Sequence, residues 1–198
     1  MRRSSASGIL RAILSVALIA ALSGCVVHAV NQFYSPDSIA DMPSLYGKWV
    51  LKESKIDDGK NQEWTFAADR ITLPDLKGTS SALVSKFFRV DDMLFLDAVA
   101  DSPPEVLSFW WVAHITPVHT VSRVIADDKT MKIIPLDPDW MENAVKSRTV
   151  SLPSVWHQEQ KSYLFTATPA EWTEFLKKYG KDTKAFPEEG KMVFTRNP

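Results

Sequence analysis

Histidine and cysteine are the side chains best suited to chemistry near neutral pH, and this chain has only four of the first and one of the second. His114 and His119 are five residues apart. In extended backbone an odd spacing places two side chains on opposite faces, so the pair shares no metal ion unless the chain bulges at Pro117. Asp137 and Asp139 with His119 make a conceivable acid–base or metal cluster, but a helix N-terminus accounts for both aspartates without one. His28, in the N-terminal tether, and His157, beside Trp156 in a loop, have no visible partner in the sequence. There is no His-Glu-x-x-His, no Gly-x-Ser-x-Gly elbow, no Walker loop and no dinucleotide fingerprint, and seven glycines are few for a phosphate cradle. These residues point away from an enzyme and imply neither a cofactor nor a metal.

Aromatic side chains are the other candidates. Phe88 and Phe95, the adjacent Trp110 and Trp111, and the nearby His114 and His119 are placed to line an apolar ligand pocket. The competing expectation is that such rings fill a core or pack beneath helices. A cavity of several hundred cubic ångström lined by them favours a ligand; a solid interior with an exposed apolar patch favours a protein partner.

The elements that carry these residues are mostly strands. Residues 46–53 alternate, with Trp49 and Leu51 on the inward face. A turn at 57–61 leads to a strand at 63–66 and another at 70–73, cut off by Pro74. Residues 83–90 and 93–98, joined at Asp91-Asp92, make the clearest hairpin. Pro103 and Pro104 break regular structure. The β-branched and aromatic run at 106–115 predicts a buried strand, and 118–126 with 130–136 a second hairpin. Asp137 before Pro138 predicts a helix to about Lys146. Thr168, Pro169 and Glu171 form a capping box for a second helix, whose stripe Trp172, Phe175, Leu176 and Tyr179 ends at Gly180. Strands at 161–166 and 191–196 complete a mainly β, α+β pattern, an antiparallel meander of enough strands to curl into a barrel and remove its edges. Gly47-Lys48-Trp49 resembles the Gly-x-Trp signature of lipocalins and lipocalin-like bacterial lipoproteins. That resemblance implies that Arg196 packs across Trp49 beside Gly47 and seals one end of the barrel. The two helices and the Pro-rich break depart from the lipocalin pattern.

Residues 1–25 have a different character. Arg2 and Arg3 precede an apolar run at 12–22, about eleven residues and too short at ~1.5 Å each to cross ~30 Å of hydrocarbon. The run ends Leu22-Ser23-Gly24-Cys25, which resembles the lipobox of bacterial lipoproteins. The resemblance implies a signal peptide over 1–24, cleavage between Gly24 and Cys25, acyl chains on Cys25 that hold the protein to a lipid bilayer, and, with Val26 following, the outer membrane facing the periplasm. No intrachain disulfide can form with one thiol. Removing residues 1–24, which hold three Arg and no acid, leaves 20 basic against 24 acidic side chains, so nucleic acid is not an expected partner. Residues 25–44, with Pro36 and Pro43 and no sustained period, read as a lipidated tether reaching ~25 Å, and 45–198 as a single lipocalin-like domain. The expected function is that of a membrane-anchored, non-catalytic envelope lipoprotein with a small apolar or amphiphilic ligand in its barrel. The alternative is an envelope protein–protein interaction or structural module with a filled core.

Overall fold

The computed structural model describes residues 26–54, 61–74, 80–101 and 116–197. Gly24, Cys25, Trp110, Trp111 and His114, the strand expected at 106–115 and most of the turn at 57–61 lie outside these residues. In chain order the elements are β1 (His28–Ala29), β2 (Gly47–Glu53), β3 (Glu63–Phe66), β4 (Arg70–Pro74), β5 (Ser80–Val90), β6 (Met93–Ala100), β7 (His119–Ala126) and β8 (Thr130–Pro135). Then come α1 (Pro138–Lys146), β9 (Ser154–His157), β10 (Ser162–Phe165), α2 (Pro169–Tyr179) and β11 (Met192–Arg196).

Eight strands close into a barrel. From β2 to β8 each strand pairs antiparallel with the next, and β11 returns to zip between β8 and β2. The fold is thus mainly β with two helices, built on a lipocalin-like antiparallel barrel, and closure leaves these eight strands without a free edge. Tight turns set the register. Asp91 adopts φ 54° in the two-residue β5–β6 loop. In the β7–β8 turn the Asp127 carboxylate accepts the N–H groups of Lys129 (2.8 Å) and Thr130 (2.7 Å). One buried cluster takes a residue from every barrel strand: Trp49, Trp64, Ile71, Phe87, Leu96, Val124, Ile133 and Phe194. Only the interior of a closed barrel can collect all eight.

Arg196 packed across Trp49 covers one end of the barrel. The Arg196 guanidinium lies over the fully buried Trp49 ring, 4.5 Å from its centroid. It donates to the carbonyls of Tyr46 (3.3 Å), Asp128 (3.2 Å) and Ser44. The Trp49 Nε1–H donates to Leu45 O at 2.9 Å. Gly47 has φ 112°, a conformation that disfavours any side chain.

A second core lies outside the barrel. Phe88, Val90, Met93 and Phe95 on the outer faces of β5 and β6 pack with Phe33, Phe165, Trp172, Phe175 and Phe186 under the two helices. Both helix starts form as their caps predict. Asp137 accepts from Trp140 N at 2.7 Å, and Thr168 and Glu171 bond reciprocally as a capping box. Gly180 ends α2 with φ −62°, a helical value, so the residue is not there for a left-handed turn. A Cβ at Gly180 would come within 2.7 Å of Met93 Sδ and 2.8 Å of Phe95 Cζ, which makes glycine the condition for seating α2 against β6.

Three expectations need correction. Residues 26–44 are no loose tether: Val27, Ala29 and Phe33 are buried in the second core, and β1 pairs parallel with β10 and antiparallel with β7. The segment is apolar enough at those positions to be recruited by strands from elsewhere, so the folded unit begins by residue 26. His157 and Trp156 lie in β9, not in a loop, and β1, β10 and β9 form a side sheet continuing from β7. Phe88 and Phe95 point away from the barrel interior because their neighbours Phe87 and Leu96 take the inward positions.

Candidate functional site

The lumen is not completely filled. At the end opposite the Trp49–Arg196 seal, where β4, β6 and β8 finish and β5, β7 and β11 begin, there is a cavity of about 310 Å³. That is roughly twice the ~150 Å³ apolar void that takes up benzene. Its wall is aliphatic: Ile71, Leu73, Leu83 and Leu96 on one side, Val121, Ile133, Leu136 and Met192 on the other. Thr120 and Ser122 supply hydroxyls and Trp64 an indole edge, and among the described residues no charged side chain lines it. The Thr120 hydroxyl is committed to Ala98 O at 3.2 Å. The buried Trp64 Nε1–H has no acceptor among the described residues. An orphaned buried donor costs about 1–3 kcal/mol, so a ligand oxygen within its reach would be bound favourably.

Val26 and Val27 also line this cavity. β8 stops pairing with β7 at Pro135, opposite Ser122, and β1 takes up the next stretch of β7 at His119. The N-terminal segment therefore closes the seam that β8 opens as it departs toward α1.

Of the residues expected to line a pocket, none of those described does so. Phe88 stacks on Phe95 at 5.5 Å in the second core. His119 faces outward, where its Nδ1 lies 2.7 Å from Oδ1 of Asp97. Asp137 is occupied as the α1 cap, so the imagined cluster with His119 does not assemble. The cavity is made of aliphatic side chains that the search for aromatic rings passed over. The signal for those inside the barrel was the inward parity of β4 to β8, legible only once the barrel's inside is known; Val121 and Leu136 belong to the second core and reach the cavity at the seam.

Asp97 is the polar residue that the sequence reading missed. It stands in an otherwise apolar strand, faces the second core and is 2% exposed. Its Oδ2 accepts the Phe33 N–H at 2.9 Å while Oδ1 holds His119. An ionised carboxylate only accepts, so this contact is a hydrogen bond when the His119 ring carries a proton on Nδ1. The pair fastens the N-terminal segment to the barrel wall. Burial and the nearby Asp97 charge push the Tyr34 hydroxyl above its ordinary range. A charged residue amid Leu94-Phe95-Leu96 and Ala98-Val99 demands a buried partner, and that was the available clue.

Among the described residues no three His, Cys, Asp or Glu side chains converge as metal ligands, and no helix is long and apolar enough to cross a membrane. No family model matches the chain, and neither the curated proteins nor the solved structures contain a match to it.

Proposed function

We propose that this chain is an envelope lipoprotein, exported by residues 1–24, acylated on Cys25 and held on the periplasmic face of an outer membrane. In this proposal its barrel binds a small apolar or amphiphilic molecule without transforming it. The observation that carries the ligand is the cavity opposite the Trp49–Arg196 seal, aliphatic and free of charge among the described residues. A neutral, largely hydrocarbon ligand fits such a wall, since a buried carboxylate or ammonium would find no counter-charge there. One oxygen on the ligand would suit the unpaired Trp64 indole. The anchor is supported by the Leu22-Ser23-Gly24-Cys25 pattern behind a charged and then apolar leader. Native mass spectrometry of protein extracted from its own membrane in mild detergent tests the ligand. A mass beyond that of the acylated chain, lost on denaturation, is expected, and bare polypeptide would count against binding.

The interaction-module alternative has one observation in its favour. Among the described residues β9 is the outermost strand of its sheet, with Val155 60% and Trp156 39% exposed, so a partner strand could add to it. Val155→Lys should then release a co-purifying envelope protein without changing ligand content.

A further inference from the structure

Residues 26–44 were expected to let the domain swing freely on its anchor, and they do not. β1 is held by pairing on both sides, Val30 N–H donates to Phe165 O at 2.9 Å, and the Asn31 amide donates to the carbonyls of Thr166 and Ala167, each at 3.1 Å. Val27 is 4% exposed. Val26 follows Cys25 directly in the chain, and consecutive Cα atoms are about 3.8 Å apart. Val26 and Val27 are themselves part of the cavity wall. An acylated Cys25 therefore places its thioether, which must lie near the headgroup–acyl boundary, one residue from the cavity.

We infer that the barrel is oriented with its cavity end against the bilayer and that the cavity takes the acyl chain of a membrane lipid, entering beside the anchor. This rests on the acylated, ligand-binding reading proposed above. The wall chemistry selects the chain over the headgroup: among the described residues no Lys or Arg lines the cavity to pair a phosphate, whereas its aliphatic side chains match a hydrocarbon tail. The headgroup then stays at the seam by Val26. The Trp49–Arg196 seal, at the opposite end of the barrel, faces away from the membrane.

The acylated full chain in phosphatidylcholine vesicles containing a phospholipid with a diazirine in its acyl chain provides the test. Cross-links are expected on peptides carrying Leu83, Leu96 and Ala98. Inserting twenty Gly/Ser residues between Cys25 and Val26 restores a ~25 Å leash and should cut the yield roughly five-fold or more while the protein stays membrane-bound. Undiminished yield after insertion, or cross-links confined to the outer surface, overturns the orientation. The unacylated Cys25→Ser variant with the same probe lipid in detergent micelles separates the two levels. Labelling of the lumen there with no effect of the inserted leash in vesicles leaves ligand binding standing and removes the orientation. No labelling in any form removes both. Labelling of Cys25→Ser but not of the acylated chain shows the protein's own acyl chain in the cavity and overturns a bilayer lipid as its source.

Discussion

Replacing Asp97 with alanine removes a carboxylate that joins the N-terminal segment to the barrel wall. The side chain is 2% exposed and makes two bonds, to His119 at 2.7 Å and to the Phe33 N–H at 2.9 Å. A hydrogen bond to a charged group contributes about 1.5–3 kcal/mol, and a buried donor left orphaned costs about 1–3 kcal/mol. The Phe33 amide is buried and cannot turn to water, whereas the His119 side chain is one-fifth exposed and partly can. The loss should therefore fall near the lower part of the ~3–5 kcal/mol range for breaking a buried pair. With a urea slope of about 2–3 kcal/mol/M, the midpoint should drop by roughly 1–1.5 M. Asp97→Asn, whose carbonyl can still accept from Phe33, should lose less. Amide exchange then locates the damage: protection at Phe33 should fall more than protection in the barrel strands. A midpoint shift below about 0.3 M, with Phe33 protection intact, would refute the role of this carboxylate as the fastening of residues 26–44.

Three further outcomes follow from the geometry. Trp49→Ala should cost about 3–5 kcal/mol in urea unfolding, because the ring is fully buried, while Arg196→Ala, which removes a cation–π contact, should cost about 0.5–2 kcal/mol. Gly180→Ala should destabilise by about 1–3 kcal/mol although its backbone is helical, and a neutral or stabilising effect would show that α2 has room to move off β6. Burial without a charge partner lowers the His28 pKa from its ordinary 6.5, so the unfolded state takes up the proton first. Its contribution is then fully present above 6.5 and is lost as pH falls from there toward the depressed folded value; His28→Gln should shrink the difference in urea midpoint between about pH 7.5 and about pH 5.5.

Much of the fold was legible because its signals are local. The Trp49/Leu51 alternation, the Asp91-Asp92 hairpin and the Thr168–Glu171 capping box each lie within a few residues, and the structure has β2, β5–β6 and α2 there. What was illegible depends on the chain's return to itself. β1 is two residues long and carries no periodicity of its own; it is a strand only because β7 and β10 offer edges on either side. β5 has apolar residues on both faces, so nothing local says that Phe87 rather than Phe88 enters the barrel. Asp97 and His119 meet across the β6–β7 pairing from 22 positions apart. The cavity escaped because it is a place where Leu83, Leu96 and Met192 fail to fill space, and a deficit of volume leaves no mark on a sequence.

Ligand occupancy of the lumen is tested most directly by titrating an apolar, environment-sensitive fluorophore into the native protein and into Ala98→Trp, whose new ring would occupy the cavity. Saturable one-to-one binding to the native chain, competed by lipid extracted with the protein and lost in Ala98→Trp at unchanged barrel circular dichroism, is the predicted result. Equal binding to both proteins, or none to a native chain freed of its own lipid, would contradict it.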